Sequence, residues 1–544
     1  MRLFWRWLAC LVGLTLAAPF CFHLIRDPDA GWHLALGRLI STNGIPFRNA
    51  LTWTAPDEPW YATSWLYDWL AASVTTRFDL VGLQALTLLF VAATLVGFTA
   101  AAARVNPTLG AWMAPAAGLI IIPRISERPH MASLVLLGLV LWLCVPAARE
   151  PGDFRERARA QLGWKRRLAC VPLIAVFANA HAGAAFPASL LALFCAEAFL
   201  GGGRRWREGV IGLAGLAVLF ANPGGLFNLH YLLANAHQQS VVPVAWITRR
   251  KSPAWAASTV LFLLLGFKAV RLVWDFELVA AIGVAQALAM GSGARSRQWM
   301  PWTLLVPLAS FGLLLGLRYP MYRNLPIGAR FDEQVLPVRA ADFVRAERIA
   351  GKPFNAIGDG GYLEWALPDR RWFQDTRVQA FPAGLFQQEQ ALEASPSKFR
   401  DWAAGQGVDW AITPRQPIKM AGYAKFDSPD WALVYWDETS EVRLRRDVPR
   451  FESLIARLEY RRFRPSAPVT IASAAVPELM GWEGELRRYE TSAPDDPAAA
   501  IIHCAVLTRL GGDAGSTCDR AERLANTDAL RAALKQVRTL RRAG

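Results

Sequence analysis

The sequence predicts a mostly α-helical protein: a polytopic membrane domain, then a small α/β domain, then a short helical tail. Three observations predict it. Hydrophobic residues make up 53% of the 544-residue chain and charged residues only 19%, a balance outside the usual soluble range. Apolar runs follow one another through the first 320 residues, and the composition turns mixed after Pro320. The formal net charge of +15 would suggest nucleic acid in a soluble protein. Here many basic residues sit in short loops between apolar runs, where they orient helices, so no nucleic-acid partner is expected.

A spanning helix needs roughly 20 mostly apolar residues. Runs at about 4–25, 82–103, 110–123, 131–148, 168–181, 185–200, 209–222, 254–272, 276–291 and 301–318 give about ten or eleven helices, some of them short. The first run carries Arg2 and Arg6 ahead of its apolar core and lacks a small-x-small cleavage site. It is expected to remain as the first helix, with a cytoplasmic N-terminus. Loops 149–167 and 201–208 concentrate Arg and Lys and are expected on the cytoplasmic side. Alternation then puts 26–80, 123–130, 181–185 and 222–253 on the opposite face. Six of the seven histidines (His23, His33, His130, His181, His230 and His237) fall at or near that face, which points to a site opening there. Arg295 and Arg297 favour a cytoplasmic turn late in the domain, and hence a C-terminal half outside.

The domains are read as 1–320, 321–450 and 451–544. The middle one has strand-like DWAITP (409–414) and WALVYW (431–436) and the helical PVRAADFVRAERIAG. GDGGYL (358–363) reads as a turn before a strand; no G-K-[ST] follows, so it is not a P-loop. The last is helical throughout, and two adjoining amphipathic helices ending in Gly-Gly look like one tetratricopeptide-type hairpin, a possible dock for a protein partner. The seven cysteines form no CxxC and no metal-ligand spacing. Cys504 and Cys518 could pair across a hairpin in an oxidising compartment.

RDPDAGWHLALGR (26–38) leaves an apolar run and at once presents Asp27, Asp29, Trp32 and His33. Carboxylates in that position need solvent or a partner. Pro28 stiffens the turn between them. An ordinary helix cap, or an ion pair with Arg26 or Arg38, would also place them there.

The stretch RDPDAGWHLALGRLISTNGIPFRNALTWTAPDEPWYATSWLYDWLA resembles the first outer loop of bacterial GT-C-type, glycosyltransferase-like polytopic membrane proteins. RPHMASLVLL (128–137), ANAHAGAAF (178–186), NPGGLFNLHYL (222–232), FNAIGDGGYLEWALPDRRWFQDTRVQAF and GVDWAITPR fit the same group, so the similarity runs to about residue 446. The resemblance implies a GT-C-like fold in a bacterial inner (plasma) membrane. It implies an inverting transferase that moves a sugar from polyprenyl phosphate to a lipid, glycan or protein acceptor on the periplasmic side, beside membrane lipid. A first-loop carboxylate, Asp29 or Asp27, would act as general base. His33, Arg124, Arg128, His130, His181 and Arg318 are the candidates for contact with substrate or phosphate, Arg being suited to bidentate phosphate binding; for the arginines the bland alternative is interfacial snorkelling. No cofactor is certain; Asp-Pro-Asp is also a D-x-D, so a divalent metal (Mg or Mn) at Asp27/Asp29 is possible. Trp32, Trp53, Trp60 and Trp65 would stack on a sugar or polyprenyl chain, or belong to the interface belt. Asp375 and Arg377 of QDTR would face the membrane site or form a structural ion pair.

The chain departs from the group's pattern at several places. Gly31 stands for a Trp, Ser64 for the acid of x-E-W-L (although Asp68 precedes Trp69), and NAHAG and NPGG replace N-L-H-G-G and N-P-Y-G. Two other classes therefore stay open: a non-catalytic membrane scaffold, and a lipid or solute transporter. Polar residues gather at helix ends rather than deep in several helices, which favours an interfacial site over transport.

Overall fold

The computed structural model describes residues 2–145, 164–200, 206–226, 326–382 and most of 384–540, with Ile282 and Leu308. The expected helices at 254–272, 276–291 and 301–318 lie outside the described residues. So do most of the two basic loops, His230, His237, Arg295, Arg297 and Arg318. The chain forms two compact units, Met1–Phe47 with Trp60–Arg330, and Arg48–Pro59 with Phe331–Gly544. The described part is mostly helical, with one small mixed sheet.

In the first unit the longer described helices are α1 (Arg2–Ala17), α2 (Pro28–Asn43), α3 (Trp65–Val105), α4 (Pro107–Ile120), α5 (His130–Cys144), α6 (Cys170–Ala178), α7 (Ala185–Leu200) and α8 (Trp206–Ala217). By length and composition, the two described segments Trp65–Val105 and Ala182–Leu200 are able to cross a bilayer. Shorter apolar helices lie at Trp7–Cys21 and His130–Cys144. α3 is two helices joined at a kink, where Phe78 and Asp79 leave helical geometry and Asp79 takes φ 52. Asp is one of the few residues that tolerate positive φ. Phe98, Met113, Leu136, Val140 and Leu191 are buried in one continuous apolar core. Small residues let the helices close on one another: a Cβ on Gly97 would sit 2.9 Å from the Gly138 backbone of α5.

The expected outer loop at 26–80 is itself largely helical. Asp27 caps α2 by accepting from the Asp29 N–H at 3.1 Å, and Pro28 occupies the first turn where no N–H is needed. The strand leading into α2 is pinned. Leu24 and Ile25 donate to the carbonyls of Pro326 and Arg330, and Gly328 donates to Phe22. Gln84 of α3 clamps both sides, donating to the His23 and Gly328 carbonyls at 2.8 and 3.0 Å.

In the second unit, α9 (Val338–Ala346) precedes β1 (Pro353–Asn355), α10 (Ile357–Ala366), α11 (Pro396–Gln406), β2 (Trp410–Pro414), β3 (Trp431–Trp436) and β4 (Ser440–Arg445). The sheet order is β1-β2-β4-β3, with β1 parallel to β2 and the other pairs antiparallel. Both expected strands are present, and every residue of β3 is buried. GDGGYL is not a turn before a strand: it lies within α10. Gly360 serves packing, since a Cβ there would meet the Gln374 carbonyl oxygen at 2.0 Å.

The segment Arg48–Pro59 is stitched into this unit. Leu51 and Trp53 bracket Trp372 in a parallel bridge with hydrogen bonds of 3.1 and 2.9 Å. The Trp53 indole donates to the Pro353 carbonyl at 2.9 Å, and Thr54 donates to Phe373. Asn49 donates to Thr52 and the Ala380 carbonyl.

The chain continues through α12 (Glu452–Leu458), α13 (Val476–Ser492), α14 (Pro497–Leu510), α15 (Gly515–Leu524) and α16 (Asp528–Val537). A Cys504–Cys518 disulfide with Cα atoms 4.9 Å apart ties α14 to α15.

Candidate functional site

The start of α2 and the loop before α5 build one cluster in the first unit. Arg128 grips Asp27 in a two-pronged pair through Nε and Nη2, and its Nη1 lies 2.9 Å from an Asp29 oxygen. Two carboxylates thus share one guanidinium, and each is mostly shielded, with side-chain exposures of 18% and 15%. Arg suits this role because its planar fork presents several donors at once. The first turn of a helix also favours negative charge. Asp27 is therefore both a cap and an ion-pair partner, and its described cation is Arg128 rather than Arg26 or Arg38.

His33 lies one turn beyond Asp29 on the same face of α2. Its Nδ1 is 2.6 Å from Asp68 of α3, and both residues are buried. The carboxylate accepts, so Nδ1 carries the proton. Ser64 donates to the same carboxylate at 3.1 Å. Gly37 permits this approach, since a Cβ there would meet the Asp68 carbonyl oxygen at 2.0 Å.

The other candidates fall close by. His130 opens α5 and donates from Nε2 to the Arg124 carbonyl at 2.7 Å; Arg124 itself is buried. His130 is within electrostatic range of Arg124, Arg128 and His181. His181 caps the short turn after α6, its Nδ1 accepting from the Gly183 N–H at 3.1 Å, with Ser133 of α5 at 2.7 Å. A backbone N–H only donates, so the neutral ring carries its proton on Nε2. Asn179 accepts from the Trp65 indole at 2.7 Å, tying the end of α6 to the start of α3. Tyr61 packs flat against Gly224, where a Cβ would meet its ring at 2.3 Å. Asp27, Asp29 and Arg128 are thus in direct contact, and His33 adjoins them on α2. His130, Arg124 and His181 are held through their own partners, and Arg318 lies outside the described residues.

Sequence reasoning passed over two acids. Asp68 was visible only as a departure from a motif, yet it fixes the His33 tautomer. Glu127 was not singled out; the quoted stretch RPHMASLVLL begins one residue after it. Glu127 is 1% exposed, and neither carboxyl oxygen has a hydrogen-bond partner among the described residues. Burial, with Asp27 nearby adding to the effect, pushes its carboxyl up to about 7.

The tryptophans do not line up on one ligand surface. Trp53 packs on Phe373 at 5.3 Å in the second unit, under the Lys352 ammonium at 3.9 Å. Trp60 is buried, and Trp32 lies against His33 with ring centres 3.5 Å apart. Asp375 and Arg377 form an internal pair of the second unit, both fully buried, with contacts of 2.6 and 2.9 Å. Arg377 also donates to Asn49 at 3.2 Å and lies 3.6 Å from Glu364. Burial and the neighbouring Asp375 charge hold the Glu364 carboxyl well above its usual range.

Both aspartates face one guanidinium, which a divalent ion at Asp27/Asp29 would have to displace.

No family model and no curated protein matches the chain. Among solved structures it is similar to the apo oligosaccharyltransferase of Archaeoglobus fulgidus, at 11% identity over 82% of this chain and 75% of that one, with a TM-score of 0.49. It is similar to the mycobacterial arabinofuranosyltransferase AftD, at 14% identity over 81% of this chain and 41% of that one, with a TM-score of 0.45. It is also similar to apo ArnT from Cupriavidus metallidurans, at 12% identity over 81% and 97% of the two chains, with a TM-score of 0.39.

Proposed function

We propose that the first unit is a membrane glycosyltransferase of the GT-C type, moving a sugar from a polyprenyl-phosphate donor to a lipid, glycan or protein acceptor at the periplasmic face. The observation that carries this reading is the Asp27–Arg128–Asp29 cluster, set at the head of a helix in the first unit. The order of motifs along the sequence supports it.

The chemistry follows from the charges. The acceptor oxygen attacks the anomeric carbon opposite the phosphate. The bond from that carbon to the phosphate oxygen breaks, and its electron pair leaves on the phosphate, so the anomeric centre inverts. Arg128 stabilises the charge that develops there. Asp29 or Asp27 takes the acceptor proton. Phosphate and carboxylate compete for the same guanidinium, so donor entry loosens one aspartate from Arg128 and frees a lone pair when it is needed. His33, backed by Asp68, and His181, with its proton on Nε2, would supply polar contacts beside the leaving group.

The test is donor turnover by the purified protein in lipid, over a panel of polyprenyl-phosphate sugars with a membrane extract as acceptor. Wild type runs beside Asp27→Asn and Asp29→Asn. Consumption of one donor that the variants lose supports the reading. A folded wild type that consumes none overturns it in favour of a scaffold.

A further inference from the structure

Ser41, Ser73 and Ser189, all in helices of the first unit, give their hydroxyl protons to the carbonyl four residues back, at 3.0, 2.7 and 2.8 Å. That is a common outlet for a serine inside a helix. Ser133 of α5 does otherwise. Its hydroxyl lies 2.7 Å from Nδ1 of His181, 48 residues on. The Gly183 N–H donates to the same nitrogen at 3.1 Å. A backbone N–H only donates, so Nδ1 is the acceptor and the hydroxyl must donate to it as well. The backbone is shaped for this: a Cβ on Gly183 would meet Nδ1 at 2.5 Å and the Ser133 oxygen at 2.8 Å. Two donors converging on one nitrogen leave no place for a second ring proton. The charges nearby act in the same sense. His130, one turn before Ser133 on α5, is within electrostatic range of His181, Arg124 and Arg128. α6 has no ionisable side chain after Cys170, and α7 has none before Cys195, so neither helix brings a carboxylate to this end of the ring.

We propose that Ser133 is a positioning residue of this site, which with the Gly183 N–H holds His181 as a neutral Nε2–H donor to the phosphate of the lipid-linked sugar. The inference rests on the glycosyl-transfer reading above. The phosphate gains charge as its bond to the sugar breaks. A hydrogen-bond donor fixed beforehand stabilises that charge without reorganising at the moment of reaction. A neutral ring does so without handing over its proton, so the phosphate leaves as the anion. It also avoids holding the released lipid phosphate in a second full ion pair. Neutral imidazoles serve as polarising donors in this way. Ser133 acts through His181 and does not touch substrate.

Ser133→Ala removes one of the two hydrogen bonds to Nδ1 and lets the ring turn or take a second proton. Its kcat is expected to fall about tenfold with the KM for the sugar donor little changed, and Ser133→Thr, which keeps the hydroxyl, is expected to recover most of the loss. Nitrogen NMR of histidine-labelled protein in lipid reads the ring without turnover, with His181 assigned by the signals that His181→Gln loses. In wild type a single neutral tautomer protonated on Nε2 is expected from about pH 5 to 8, and in Ser133→Ala the imidazolium is expected to grow in within that range. Polyprenyl phosphate without sugar is the probe of contact, and it is expected to move the wild-type Nε2 signal. A wild-type ring that titrates, or a Ser133→Ala ring that keeps the wild-type tautomer and pH behaviour, overturns the proposal even if the protein proves active. So does an Nε2 signal indifferent to polyprenyl phosphate in a protein that turns over its sugar donor. A wild type with the locked ring that consumes no sugar donor and ignores polyprenyl phosphate sinks the transferase reading, and the role of Ser133 with it.

Discussion

Asp68 of α3 accepts the Nδ1 proton of His33 of α2 at 2.6 Å, and Ser64 donates to the same carboxylate. Asp68→Ala strands both donors in a buried place, at a cost of about 1–3 kcal/mol each. Thermal unfolding is expected to move down accordingly. Asp68→Asn, which keeps the shape and offers one carbonyl oxygen, is expected to lose less. Equal melting of wild type and Asp68→Ala would show that the pair holds nothing.

The Arg128–Asp27 pair is expected to be strongly coupled. A double-mutant cycle with Arg128→Ala and Asp27→Ala, read as unfolding free energy, is expected to give an interaction of about 1.5 kcal/mol or more. Arg128→Lys is expected to behave more like the alanine variant than like wild type, because an ammonium cannot reach both aspartates as the fork does. Additive single variants would contradict this.

Cys504 and Cys518 close a loop with a sequence separation of 14. Loop-closure entropy for a loop of that size is about 3 kcal/mol. Reduction, or Cys504→Ser, is expected to destabilise the α14–α15 pair by roughly that amount, measured by limited proteolysis of the tail. Such bonds persist in oxidising compartments. After reduction, a membrane-impermeant thiol reagent is therefore expected to label these residues from the periplasmic side.

Asp359 is buried, with one oxygen lacking a hydrogen-bond partner among the described residues, and burial, with the Asp437 charge, raises its carboxyl to about 7 from an ordinary 3.8. In the unfolded chain it ionises at the ordinary value. Between the two values the folded state therefore holds more protons than the unfolded state. Its contribution is fully present below the unfolded value and is lost as pH rises towards the folded one, by up to about 1.4 kcal/mol per pH unit. Asp359→Asn is expected to flatten the decline of melting temperature over that window. A variant whose melting curve keeps the wild-type slope would place the titration elsewhere.

Strands β2 and β3 were legible because DWAITP and WALVYW are short apolar runs bounded by breakers. α10 was misread because its glycines look like punctuation, whereas Gly360 is there for close contact with the Gln374 carbonyl. Asp27 and Asp29 stood out by following an apolar run. Arg128 stood out as a phosphate contact but not as their partner, since it is 101 residues away from Asp27 and only folding joins them. Glu127, spelled among Ser126 and Arg128, has the look of a solvated loop. The RNALTWT half of the opening stretch reads as part of the site, yet Asn49 bonds the Ala380 carbonyl 331 residues on. No local pattern announces such a pairing.

That pairing sets a schedule for synthesis. Residues 48–59 are made early, but the unit they complete begins at Phe331. All of 60–330 must leave the ribosome first. At about 5–20 residues per second, Asn49, Thr52 and Trp53 wait roughly 15 seconds to a minute for the strands and loops that will hold them. During that interval a short segment with unmet backbone donors and the Trp53 ring is exposed. Translation speed through residues 60–330, and any chaperone that shields this segment meanwhile, therefore governs the yield of the second unit.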